Sequence, residues 1–189
     1  MTFHEFAHGW MAYKLGDSTA KYSGRLTLNP LAHIDPFGTI LLPLILFIST
    51  HGQFVFGAAK PVPINYWALK NPKRDIIWVG LSGPLANFIL AVGLSIIFRF
   101  LPASQLVSFI FVNLIAINLM LGVFNLIPIP PLDGSQVLMG ILPEHLSSRY
   151  ARIEPYGFII LIVLIGLGVF NILVGPLVRS MLYFLLPHP

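Results

Sequence analysis

Residues 105–127 read QLVSFIFVNLIAINLMLGVFNLI, and Pro128-Ile129-Pro130-Pro131-Leu132-Asp133-Gly134 follows directly. The first part is long and apolar enough to cross a bilayer, which takes roughly 20 helical residues. The prolines then end the helix, because each ring removes a backbone donor and clashes with the preceding turn. Asn113, Asn118 and Asn125 are embedded in the apolar run. In lipid a carboxamide is costly unless it is paired, so these three are expected to face protein or a cavity. Asp133 stands at the broken end of the run. A carboxylate at membrane depth is a functional candidate by default. Two readings are open for it: a metal ligand, or the N-cap of a short helix Ser135–Leu142 at the interface.

The rest of the chain agrees with a membrane setting. Of its 189 residues, 56% are hydrophobic and only 10% are charged. A soluble domain carries about 25% charged residues, so there is too little charge here to coat a water-facing surface. The expected fold is all-α and polytopic, a single membrane domain over residues 1–189. It should have about four spanning helices plus short or re-entrant pieces. The candidate runs are residues 37–56 (interrupted by Thr50-His51-Gly52-Gln53), 76–101, 105–127 and 156–186, the last divided near Gly175-Pro176. Gly80, Gly83 and Ala86 are expected to let a neighbouring helix approach closely. Residues 143–155 read as a polar connection. Gly57-Ala58-Ala59-Lys60-Pro61-Val62-Pro63-Ile64-Asn65 must be extended or looped, since prolines at alternate positions forbid a helix.

The net charge of +4 does not point to nucleic acid. The basic residues lie mostly between apolar runs, where they orient the chain and meet lipid headgroups. The expected location is integral in a cell membrane, which the chain crosses several times. There is no cysteine, so disulfides and thiolate ligands are excluded. A zinc site here would need His, Asp or Glu.

His4-Glu5-Phe6-Ala7-His8 is H-E-x-x-H. Positions i and i+4 share one helix face, so two imidazoles there can hold one zinc ion. The carboxylate beside the first can serve as general base on a water at the metal. Five residues alone are weak grounds, since the same pattern arises on helices whose histidines have no connection. A third ligand is needed, and Asp133 is the candidate. Other polar residues have plainer readings. His33, Asp17 and Asp35 read as turn or cap residues, His51 as a loop histidine, and His145 and His188 as surface residues. Arg99 is expected to snorkel to the headgroups.

His4-Glu5-Phe6-Ala7-His8, followed far downstream by Asn125-Leu126-Ile127-Pro128-Ile129-Pro130-Pro131-Leu132-Asp133-Gly134, resembles the site-2 proteases, intramembrane zinc metalloproteases of peptidase family M50. The second stretch is similar to that family's N-x-x-P-x-x-P-L-D-G. Three further stretches resemble the compact branch without a PDZ domain: residues 29–39 (NPLAHIDPFGT), 59–65 (AKPVPIN) and 82–87 (SGPLAN). The resemblance implies that His4, His8 and Asp133 bind Zn2+ and that Glu5 activates water. It implies that Asn125 lies near the site and contacts substrate, and that the Gly57–Asn65 stretch pairs with an unwound substrate strand. The implied substrate is a membrane-spanning helix of another protein within the lipid bilayer. The family has an apolar helix ahead of H-E-x-x-H, where this chain has only Met1-Thr2-Phe3, so such a helix is expected upstream of residue 1. A member lacking it altogether would instead be an inactive membrane binding or scaffolding protein.

Overall fold

The computed structural model describes residues 1–49, 51–52, 57, 59–102 and 104–186, with the Phe170 side chain excepted. Ala58, His188 and the stretch 53–56, all invoked above, lie outside the described residues. The described residues are helical or irregular and contain no strand. They divide into two compact units, Met1–Pro72 and Lys73–Pro189.

The first unit begins with α1, Thr2–Lys14, which ends just before Gly16. A short α2, Thr19–Tyr22, follows. Asp17 lies between them with no solvent exposure. One of its carboxylate oxygens accepts from the Thr19 N–H at 2.9 Å and from the Thr19 hydroxyl. The other accepts from the Asn65 N–H at 2.7 Å. So Asp17 both caps its local turn and pins a segment 48 residues away. Asp35 also caps: its carboxylate accepts from the Gly38 N–H at 2.6 Å and opens a wide helical turn, Pro36–Leu41. His33 is buried, with Nε2 2.8 Å from the Thr27 carbonyl, the turn hydrogen bond expected of it. The turn at Pro36–Leu41 runs into α3, Leu42–Ser49, on which no residue is buried.

The second unit starts with α4, Pro72–Phe98, and α5, Gln105–Asn125. These two are long and apolar enough to cross a membrane. Exposed apolar side chains cover both, among them Ile89 at 71% and Phe109 at 69% exposure. Water would penalise such a surface, whereas hydrocarbon does not. Between helices in lipid the hydrophobic effect contributes little, and close packing dominates. Ala91, Ile115 and Leu119 are fully or almost fully buried, with Phe88, Val178 and Met181 packed on them. A Cβ at Gly80 would sit 3.0 Å from the Asp133 carbonyl oxygen, so the small-residue face of α4 does seat a close neighbour.

The expected asparagine pattern is only partly met. Asn113 is exposed, and its amide donates to the Phe109 carbonyl four residues back at 2.7 Å. Asn118 and Asn125 do likewise to Leu114 and Leu121, at 2.8 and 2.9 Å. Back-bonding to the helix's own carbonyls satisfies one donor locally, so these residues need no partner helix for it.

After α5 comes the proline turn, then α6, Asp133–Ile141. Leu132 is its N-cap, and Asp133 is its first residue rather than a cap. A Cβ on Gly134 would lie 2.2 Å from the Leu126 carbonyl oxygen, so only glycine lets the turn fold back this tightly on the end of α5. Residues 144–151 form α7, where a polar connection was expected. The Tyr150 hydroxyl at its end donates to the Pro128 carbonyl at 2.8 Å, which ties α7 to the proline turn.

Among the described residues the count of spans is lower than four. Two helices qualify, or three if a bent pair counts as one span. Residues 36–49 make only a short apolar helix. The last apolar region is divided into α8, Gly157–Gly166, and α9, Val169–Leu185, with a bend of 76° between Glu144–Gly166 and Asn171–Leu185. The break falls at Gly168, which has φ 73°, a left-handed conformation that glycine adopts at no steric cost. Pro176, where the sequence suggested the division, lies inside α9. Arg99 turns back on the protein: its guanidinium donates to the Leu185 carbonyl at 3.5 Å, beside the Ser95 hydroxyl, which donates to the same oxygen.

Candidate metal centre

Helix α1 carries the first part of the centre. His4 and His8 are one turn apart, and both are buried, at 8% and 6% exposure. Their rings meet edge to face, with centroids 4.6 Å apart and planes at 84°. The two Nε2 atoms are 3.1 Å apart. A tetrahedral zinc with Zn–N bonds of about 2.0–2.1 Å places two ligand nitrogens roughly 3.3 Å apart. The imidazole pair therefore already has close to the separation that one ion requires. With one Nε2 protonated, the same geometry makes a hydrogen bond between the rings.

Glu5 lies between the two histidines in sequence and is half-buried. Its Oε2 accepts from the Val62 N–H at 3.0 Å. The carboxylate is thus anchored through one oxygen. It comes from the helix start, where the exposed N–H groups and the helix dipole favour negative charge. Residues 59–65 form no regular element, as their prolines dictate. Their backbone groups are occupied instead by side chains and turns of the same unit. The Lys60 N–H donates to the His33 carbonyl at 2.9 Å. One Arg25 nitrogen donates to the Lys60 and Pro61 carbonyls, at 2.8 and 3.3 Å.

Sequence reasoning missed Arg25 and the Val62 amide, and for Asp17, read as a turn or cap residue, it missed the bond to Asn65. The only signal for them was the spacing of Pro61 and Pro63, which leaves Val62 as the one N–H donor among residues 61–63. On the outer surface of α1, the Lys21 ammonium donates to the Tyr13 hydroxyl at 3.0 Å. That bond, with the attraction between the two charges, holds Tyr13 below and Lys21 above their ordinary ranges. Both groups are solvated, and neither belongs to the histidine face.

Two of the residues singled out in the sequence belong to the second unit. Asp133 is buried, at 8% exposure, in the first turn of α6, where a carboxylate is favoured by the helix dipole. Ser135, also buried, follows two residues on. Asn125 is half-buried at the end of α5, with its amide directed to Leu121. In the first unit, then, His4, His8 and Glu5 are assembled on one buried helical turn. That donor set suits a borderline-soft divalent metal, since two imidazoles and no thiolate match zinc.

Comparisons with known proteins agree with this chemistry. The sequence pattern of peptidase family M50 matches residues 101–168. YwhC of Bacillus subtilis, named as a candidate zinc metalloprotease, is 41% identical over 172 residues, which cover 86% of this chain and 74% of that protein. Rip2 of Mycolicibacterium smegmatis, named in the same way, is 32% identical over 169 residues, covering 87% of this chain and 62% of Rip2. A zinc metalloprotease of Methanocaldococcus jannaschii is 34% identical over 119 residues, 61% of this chain and 35% of its own length. No solved structure matches the chain at a significant level. On the strength of these relatives, the chain belongs to peptidase family M50, the zinc metalloproteases of the site-2 type.

Proposed function

We propose that the protein is a multi-pass membrane endopeptidase that hydrolyses peptide bonds within or near transmembrane helices of other proteins. His4, His8 and Asp133 are the proposed zinc ligands, and Glu5 is the proposed general base. The observation that carries the reading is the buried His4–His8 pair, with its Nε2 atoms 3.1 Å apart on the turn that also carries Glu5. Asp133 supplies what the pair lacks, a buried carboxylate in a chain without cysteine. Two histidines and one carboxylate leave a fourth position open, as a catalytic zinc site requires.

A zinc ion held by His4, His8 and Asp133 would supply an electrophile for the scissile carbonyl and would make a water acidic enough to yield its proton near neutral pH. Glu5 takes that proton on a carboxylate oxygen and delivers it to the leaving amine nitrogen as the C–N bond breaks. Val62 holds the other end of the carboxylate meanwhile. Asn125 has one amide hydrogen turned to Leu121. Its carbonyl oxygen and second hydrogen are the groups it offers a substrate backbone.

An intact substrate helix shields its carbonyls in i to i−4 hydrogen bonds, so it must unwind locally before attack. The test is to reconstitute the full-length protein in lipid vesicles with a protein that spans the bilayer once, and to map the cut by mass spectrometry. Cleavage is expected inside the apolar span, and a Gly-Pro pair placed in that span is expected to speed it by about tenfold, since glycine and proline weaken a helix by a few kcal/mol. Cleavage confined to soluble, unfolded peptides would overturn the intramembrane reading.

A further inference from the structure

The general base is not held by its own helix. Glu5 is fixed by the Val62 N–H at 3.0 Å, a backbone group 57 residues away. That amide lies between two prolines, so Pro61 and Pro63 give the carboxylate no alternative donor. Nothing in the local backbone fixes its height above α1, because residues 59–65 belong to no helix or sheet. Three contacts in the same unit do so. The Lys60 N–H is tied to the His33 carbonyl at 2.9 Å. One Arg25 nitrogen grips the Lys60 and Pro61 carbonyls at 2.8 and 3.3 Å, the two carbonyls directly before Val62. Gly9, one helical turn beyond Glu5, leaves room for the Val62 side chain, since a Cβ there would lie 3.0 Å from Val62 Cγ1. Arg25 is itself placed by its own N–H, which donates to the Ala20 carbonyl at 2.9 Å.

From this chain of contacts we infer that Arg25 is a positioning residue for Glu5. It fixes the carbonyls of Lys60 and Pro61, so that the Val62 N–H meets Glu5 and sets the direction of its carboxylate. The Arg25 side chain acts on Glu5 through the backbone, by way of the Lys60 and Pro61 carbonyls. The inference rests on the proposed role of Glu5, but the contact itself can be tested apart from that role.

The experiment uses the full-length protein in detergent or vesicles, with Arg25→Ala, Arg25→Lys and Glu5→Ala compared with the unaltered chain. Hydrogen exchange is read on fragments spanning the segment, where Pro61 and Pro63 carry no amide hydrogen and Val62 is resolved from its neighbours. Exchange at Val62 is expected to rise about tenfold or more in both Arg25→Ala and Glu5→Ala, as a local hydrogen bond opens. In peptide hydrolysis, Arg25→Ala is expected to lower kcat by about 100-fold with KM within about twofold, the effect of a misplaced catalytic group. Arg25→Lys is expected to recover part of both changes.

Unchanged protection of Val62 in Arg25→Ala would overturn the inference. So would lost protection with kcat intact, or a rise in KM alone, which would make the segment a substrate contact instead. Should the unaltered chain hydrolyse nothing, the function proposed above fails, while exchange at Val62 still decides whether Arg25 sets the Glu5 contact.

Discussion

Glu5→Gln is expected to lower kcat for peptide hydrolysis by about 10²–10⁴-fold, the range over which a positioned general base acts. The change is nearly isosteric. A carboxamide still offers Val62 a carbonyl oxygen, so the anchoring contact at 3.0 Å is preserved. His4 and His8 are untouched, so zinc content should stay at that of the unaltered chain. KM should change little, because Glu5 has no proposed part in holding the substrate. Steady-state hydrolysis and metal analysis on the same preparations check all three expectations. Activity within about tenfold of the unaltered protein would remove Glu5 from the mechanism, since proton transfer could not then depend on it.

The second large effect concerns stability. Asp17→Ala removes a fully buried carboxylate that accepts from the Thr19 N–H, the Thr19 hydroxyl and the Asn65 N–H. Hydrogen bonds to a charged group contribute about 1.5–3 kcal/mol each, and a buried donor left unsatisfied costs about 1–3 kcal/mol. These contributions overlap, so the expected loss is about 3–5 kcal/mol, as for breaking other buried charged networks. At this chain length that is a fall on the order of 10 °C in apparent Tm, read by thermal unfolding in detergent. Asp17→Asn should lose less, because one oxygen still accepts. The Asn65 contact also predicts where the damage spreads: the extended segment 59–65 should become more open to protease along with α2.

Much of this architecture was legible in the residues. Helices α4 and α5 start and stop within a few residues of the apolar runs 76–101 and 105–127. H-E-x-x-H placed its histidines on one face because i and i+4 must share one. The span count was not legible, since apolar length alone does not say where a helix turns. The run at 37–49 forms only a short helix, and the last region breaks at Gly168 rather than at the more conspicuous Gly175-Pro176. A proline can be carried within an apolar helix where neighbouring groups re-satisfy the freed carbonyl. A glycine in the left-handed region ends the helix outright.

Arg25, Val62 and the long-range contact of Asp17 escaped for a different reason. Their roles depend on backbone N–H and C=O groups far away in the chain, and such groups carry no side-chain signature. Residues 59–65 form no regular element, as their alternate prolines suggested, but those prolines did not show that the Lys60, Val62 and Asn65 amides are engaged with His33, Glu5 and Asp17.

The central claim is one zinc ion held by His4, His8 and Asp133. Zinc-edge X-ray absorption on the zinc-loaded full-length protein, with Asp133→Ala alongside, tests it most directly. The account predicts two imidazole nitrogens at about 2.0–2.1 Å and carboxylate or water oxygen at about 2.0–2.2 Å. In Asp133→Ala the carboxylate contribution should vanish and zinc affinity should fall. A spectrum without two imidazoles, or one unchanged by Asp133→Ala, would contradict it.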